Sequence, residues 1–203
     1  MYRHHFASSH LRKTLRPLLA ALAALLLLLT QQPRPANAWP QWTVISQPVG
    51  GLTNPGMLDM KISSDGRRFI ASPQGNFLKF AEWNGSAWTL TEAAPASYCA
   101  LDSHVSLALN AGPNVAVISF YDHCADAYRV AIGVQNLISK AWTWAVETPP
   151  APPNMFNTDR HDSAIAIDSG GNFHMVVSED RHVYYMRRQA GVWTTRHAAE
   201  EPY

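Results

Sequence analysis

Residues 163–194 read SAIAIDSGGNFHMVVSEDRHVYYMRRQAGVWT, and the succession of patterns in this stretch decides the fold. Residues 163–167 alternate with the period of two that a strand facing two environments requires. Asp168-Ser169-Gly170-Gly171-Asn172 follows, a turn whose glycines supply the positive φ a tight hairpin needs. Residues 173–178 form a second, more apolar strand, a polar loop leads to a third at 182–187, and Gln189-Ala190-Gly191 turns the chain into a fourth that opens on Trp193-Thr194. Four short strands joined by tight turns make one antiparallel meander.

The same unit recurs through the chain. Trp-Thr pairs stand at Trp42-Thr43, Trp88-Thr89, Trp142-Thr143 and Trp193-Thr194, at intervals of 46, 54 and 51 residues. First strands are predicted at 58–62 and 105–109, followed by the turns Ser63-Ser64-Asp65-Gly66 and Asn110-Ala111-Gly112-Pro113-Asn114. Second strands follow at 68–72 and 115–121, and third strands at 77–83 and 128–132. Phe80 lies eight residues before Trp88 just as Tyr185 lies eight before Trp193. A four-stranded antiparallel unit of about 50 residues with aromatic marks at fixed places is the signature of a β-propeller blade. One twisted sheet cannot cover both of its apolar faces, so neighbouring blades must stack. The expected fold class is therefore all-β, with about three blades over repeats 57–97, 104–150 and 161–199; a β-sandwich of short strands is the competing reading.

The repeats resemble those of exported bacterial β-propellers of the sialidase-like superfamily. The resemblance rests on Ser106-Leu107-Ala108-Leu109-Asn110, Ala164-Ile165-Ala166-Ile167-Asp168, Asn172-Phe173-His174, Phe120-Tyr121-Asp122 and Tyr184-Tyr185-Met186, and it covers residues 58–198. It implies a propeller and, in the catalytic members, glycoside hydrolysis by an Asp acid and a Glu-activated Tyr, with three arginines clamping a carboxylate. That catalytic arrangement is not visible here. The Asp-box S-x-D-x-G-x-x-W is absent, Ser63-Ser64-Asp65-Gly66 placing its glycine one position early, and no Phe-Arg-Ile-Pro segment occurs.

The N-terminus predicts export. Arg3, Arg12, Lys13 and Arg16 precede an apolar run over 18–29, too short at about 1.5 Å per residue for the roughly 30 Å core of a bilayer. Pro33 and Pro35 then lead to Ala36-Asn37-Ala38, which a signal peptidase accepts, so residues 1–38 read as a signal peptide cut after Ala38 and an uncleaved anchor is the alternative. The destination is the medium or the cell envelope. Cleavage removes five of the 16 basic side chains and none of the 15 acidic ones, leaving an acidic remainder with no basic stripe for nucleic acid. In the region 39–203 an outer strand at 42–45 lacks the three strands that would complete its blade, and three blades are fewer than a ring requires. A fragment of a longer domain is expected, or self-association through open, apolar blade faces.

In a propeller the loops entering each first strand and those between second and third strands share one face. That face collects the ionisable residues of the second and third repeats, from which Arg160, His161, Arg181, His123 and Asp126 are the predicted ligand-binding residues, with Tyr121 and Tyr128 nearby as aromatic planes. Asp122 and Asp180 are better read as turn acceptors. Cys99 and Cys124 fall on the same face of one repeat and are expected to pair in an oxidising compartment, two buried thiols being the alternative. No H-x-x-x-H or C-x-x-C spacing occurs, so no metal centre, cofactor or catalytic residue is assigned. Two functions remain: a non-catalytic module binding a glycan or a surface protein at the loop face, preferred on these grounds, and a sialidase-like glycoside hydrolase.

Overall fold

A computed structural model describes residues 58–95, 97–99, 104–152, 161–179 and 182–200. The signal peptide and the outer strand expected at 42–45 lie outside the described residues. The fold is all-β and built of three four-stranded antiparallel sheets, each in strict sequence order. Blade 1 comprises β1 (Asp59–Ile62), β2 (Arg68–Gln74), β3 (Phe77–Trp83) and β4 (Trp88–Ala94). Blade 2 comprises β5 (Ser106–Leu109), β6 (Val115–Asp122), β7 (Ala127–Gln135) and β8 (Trp142–Glu147). Blade 3 comprises β9 (His161–Ile167), β10 (Phe173–Glu179), β11 (His182–Gln189) and β12 (Val192–Glu200). The sheets are propeller-type blades that do not close into a ring. No helix among the described residues is long and apolar enough to cross a membrane.

The turns form as their chemistry demands. Gly66 and Gly171 take φ of 83° and 77°, and each N–H closes a 3.0 Å bond to the carbonyl of Ser63 or Asp168. Asp168 also accepts the backbone N–H groups of Gly170 and Asn172 at 2.9 and 2.8 Å, and Asn110 does the same for Asn114 and Val115 in blade 2. A short polar side chain at the head of each turn thus fixes the hairpin register.

Alternation along the strands builds two cores. On β6, Ala116, Ile118 and Phe120 face blade 1, where they join Phe69, Ala71, Leu78 and Phe80. Val117 and Tyr121 on the same strand face blade 3 and join Val130, Met175, Val177, Tyr184 and Met186. Blade 2 therefore buries both faces, as stacking requires. The innermost strands also touch through polar bonds: the N–H of Leu107 donates to Asp59 at 2.8 Å, and that of Ile165 to the Ser106 hydroxyl at 3.2 Å.

Each interface carries a clamp around a Trp of the Trp-Thr pairs. The Trp142 indole packs edge-on against Phe80 at 5.0 Å between centroids and donates to Glu82 of blade 1 at 2.8 Å. Glu82 also accepts from Arg67 at 2.8 Å and from Gln135 at 3.0 Å. At the next interface the Trp193 indole donates to Glu147 of blade 2 at 2.9 Å, and Arg188 grips that carboxylate with two bonds of 2.7 and 2.6 Å. Bidentate guanidinium contacts of this kind fix orientation as well as adding energy. They hold the Glu147 carboxyl below its usual range: burial opposes the shift, but the bonds from Arg188 and Trp193 outweigh it.

The outward face of blade 3 is unlike the two interior faces. Positions held in blade 2 by Val117, Val130 and Ile132 here carry His174, Tyr185 and Arg187, with Thr194 and Arg196 across the ladder from Arg187 and Tyr185. His174 bridges the Tyr185 hydroxyl at 2.6 Å and the Asp168 carboxylate at 3.0 Å. The Asn172 side chain first, then the His174 ring, hold the Asp168 carboxyl far below the usual carboxylate range. The apolar patch expected on an open blade face is thus largely replaced on this side by a polar surface, with Val176 and Val192 its large exposed hydrophobics among the described residues.

Candidate functional site

Antiparallel order places the β6–β7 and β10–β11 loops at the same end as the segments entering β5 and β9, so the two ends of the molecule are sorted as expected. At that end blade 2 carries a braced loop. Cys99, on the segment leading to β5, is bonded to Cys124 in the β6–β7 loop, with Cα atoms 5.3 Å apart. The N–H of His123 donates to the Cys99 carbonyl at 3.1 Å beside the disulfide. Asp122, 1% exposed, accepts the N–H groups of Cys99, Cys124 and Ala125 at 3.2, 3.2 and 3.3 Å, which confirms it as a turn acceptor. Its second oxygen takes the Arg129 guanidinium at 3.1 Å, and Arg129 lies over the Tyr98 ring at 5.4 Å. Closing a loop across 25 positions restricts the unfolded chain by about 3.5 kcal/mol in the chain-entropy account.

The predicted ligand residues fare differently. His123 is exposed on the braced loop, its ring edge-on to Tyr121 at 5.0 Å. Asp126, also exposed, adopts φ of 51° and accepts the Tyr121 hydroxyl, so part of its role is to shape the turn. His161 opens β9, but its side chain lies outside the described residues, as do Arg160 and Arg181 entirely. The structure therefore brings together His123, Asp126 and the disulfide, and does not describe how the other three meet them.

Tyr121 and Tyr128 require a correction. They are 1% and 3% exposed and belong to the core between blades 2 and 3, where the Tyr128 hydroxyl donates to the Ser178 carbonyl at 3.2 Å. Neither offers a plane to a ligand. The reason is parity: Tyr121 shares its strand face with Val117, and that face is covered by blade 3. Tyr98 and Arg129, half-buried at the same end, went unremarked in the sequence because only the register of β6 with β7 and the disulfide bring them to Asp122.

The loop end of blade 3 adds His104 paired with Asp162 at 3.1 Å, and His182 beside His197 at 3.4 Å. A cavity of about 370 Å³ opens at the opposite end, beside the first-strand turns, where Lys61, Leu107, Leu109, Asn110, Ile165 and Ile167 line the gap between the innermost strands.

No family model matches the chain, and no curated protein does either. Among solved structures, a protein from Lactobacillus plantarum determined by a structural genomics consortium is similar over 71% of this chain, with 12% identity and a TM-score of 0.43. The chain spans 45% of the length of that neighbour. The blade assignment rests on the ladders and their stacking.

The loop face carries exposed imidazoles and carboxylates on a scaffold held by a covalent bond and a buried carboxylate. Such groups suit hydrogen bonding to hydroxyl-rich or polar partners, since their positions are set before a ligand arrives.

Proposed function

We propose that this chain is an exported, non-catalytic β-propeller module of the sialidase-like type that binds a glycan or a surface protein at its loop face. The observation that carries this reading is the braced β6–β7 loop, in which the Cys99–Cys124 bond and the three backbone bonds to Asp122 present His123 to solvent on a fixed frame. Fixing a loop in advance reduces the ordering entropy lost on binding. The disulfide also supports export, since such bonds persist in oxidising compartments. Arg160, His161 and Arg181 complete the proposed contact set with Asp126.

The test is a glycan array and a pull-down from cell-envelope extract, run on the wild type, on His123→Ala and on the Arg160→Ala/His161→Ala/Arg181→Ala triple variant. Wild-type binding that both variants lose, with unchanged melting temperatures, is the expected result. Binding that survives both sets of changes would overturn the face assignment. Release of product from a fluorogenic sialoside by the wild type would overturn the non-catalytic half of the reading.

A further inference from the structure

The ladder between β11 and β12 brings two imidazoles to one face beside its single irregularity. His182 pairs with Glu200 and Val183 with Ala199, but Tyr184 pairs with His197, so Ala198 is an extra residue opposite the Val183–Tyr184 step. Directly paired residues of an antiparallel ladder point to the same side, and alternate residues along a strand share a face. His182 and Tyr184 therefore share one face, and the pairing, unbroken from Gln189–Val192 at the turn to Tyr184–His197, puts His197 on the same face. The surplus residue acts beyond that point, bringing Glu200 rather than Ala199 opposite His182.

The two imidazoles that meet there have a telling separation. His182 Nδ1 and His197 Nε2 lie 3.4 Å apart, longer than the usual nitrogen-donor hydrogen bond of about 2.7–3.2 Å. Two imidazole nitrogens bound to one tetrahedral Zn²⁺ at about 2.0–2.1 Å stand about 3.3–3.4 Å from each other. The Tyr184 ring, fully buried, packs against both imidazoles at 5.2 and 6.1 Å and forms a fixed wall behind them. His197 is exposed and His182 half-buried, so an ion reaches the pair from solvent.

The geometry points to a divalent transition-metal site of the Zn²⁺ class, with His182 and His197 as its two protein ligands at the loop end of blade 3. Imidazole nitrogens select such ions over Mg²⁺ or Ca²⁺, which prefer oxygen. The remaining coordination positions face solvent and take water or an oxygen donor of a bound molecule. The inference is independent of the reading above, which rests on the loop of blade 2.

The experiment is a Zn²⁺ titration of the full chain against a chromophoric chelator, with X-ray absorption at the zinc edge. The wild type is expected to hold an ion with two imidazoles in its first coordination sphere, and His182→Ala and His197→Ala each to weaken that binding by roughly tenfold or more. His104→Ala, which removes an imidazole from the same end, leaves it unchanged. The His182→Ala and His197→Ala variants both keep the far-ultraviolet circular dichroism of the wild type, so a loss of binding reads the ligands and not the fold. Zn²⁺ affinity equal in the wild type and in the His182→Ala/His197→Ala double variant would overturn the assignment, as would an absorption spectrum without paired imidazoles.

Discussion

Removing the indole nitrogen of Trp142 while keeping an aromatic ring tests how the first two blades are joined. Trp142→Phe leaves a ring against Phe69 and Phe80 but deletes the 2.8 Å bond to Glu82. Glu82 is 9% exposed, and a hydrogen bond to a charged acceptor contributes about 1.5–3 kcal/mol, so a loss in that range is expected. Trp142→Ala forfeits the packing as well and should cost about 3–5 kcal/mol, towards the lower end because the side chain is half-buried. Glu82→Ala strands Arg67 and Gln135 together with the indole. Arg67 keeps Asp65 and the Pro113 carbonyl as partners, which holds the cost near the bottom of the roughly 3–5 kcal/mol seen when a buried pair is broken. In the Glu82→Ala background Trp142→Phe has no bond left to lose, so the double variant should be more stable than the sum of the singles by about 1–2 kcal/mol. Urea denaturation of the four proteins measures this, with unchanged slopes confirming that the unfolding transition is the same. Coupling below about 0.5 kcal/mol would show that the indole and the carboxylate act independently and would refute the clamp.

Three further outcomes are expected. Glu147 has a folded-state pKa below its ordinary value of 4.5, so its contribution to stability is complete above that pH and is lost as the pH falls through the lowered value; melting temperatures should drop on acidification below about pH 4.5, and Glu147→Gln should flatten that drop. A methyl group at Gly133 would come within 2.7 Å of the Trp144 ring that covers it, so Gly133→Ala should destabilise by about 1–3 kcal/mol in the same urea assay. Replacing Cys99 and Cys124 by Ser should lower stability by up to about 3.5 kcal/mol, and the unreduced wild type should show no titratable thiol.

The blades were legible because each is written locally. Glycine and Asx turns punctuate the chain, and the strands expected at 77–83 and 173–178 were recovered within a residue as Phe77–Trp83 and Phe173–Glu179. The disulfide was legible too, because the order of strands alone puts both cysteines at one end. What escaped depends on facing and register across elements. Tyr121 and Tyr128 stand close to the loops in sequence yet point into the interface with blade 3. The meeting of His182 with His197 depends on the pairing of two strands, which no spacing rule for a single strand can reveal. The acidic partners of the Trp142 and Trp193 indoles were hidden for a similar reason, lying on different strands of the preceding blade.

That last difference bears on how a chain of similarly built units finds its correct order. Repeat proteins risk misassembly when one unit docks where another belongs. Here the indole of blade 2 finds its carboxylate on a third strand, at Glu82, with a guanidinium from Arg67 of the same blade as Glu82. The indole of blade 3 finds its own on a fourth strand, at Glu147, with a guanidinium from Arg188 of the same blade as the indole. Exchanging blade 3 for blade 2 against blade 1 would bring Arg188 towards Arg67 at a single carboxylate. Two like charges would then compete where one suffices, and the wrong neighbour is rejected by repulsion rather than by poor shape. The clamps thus act as address labels, each matched in strand and charge to one neighbour.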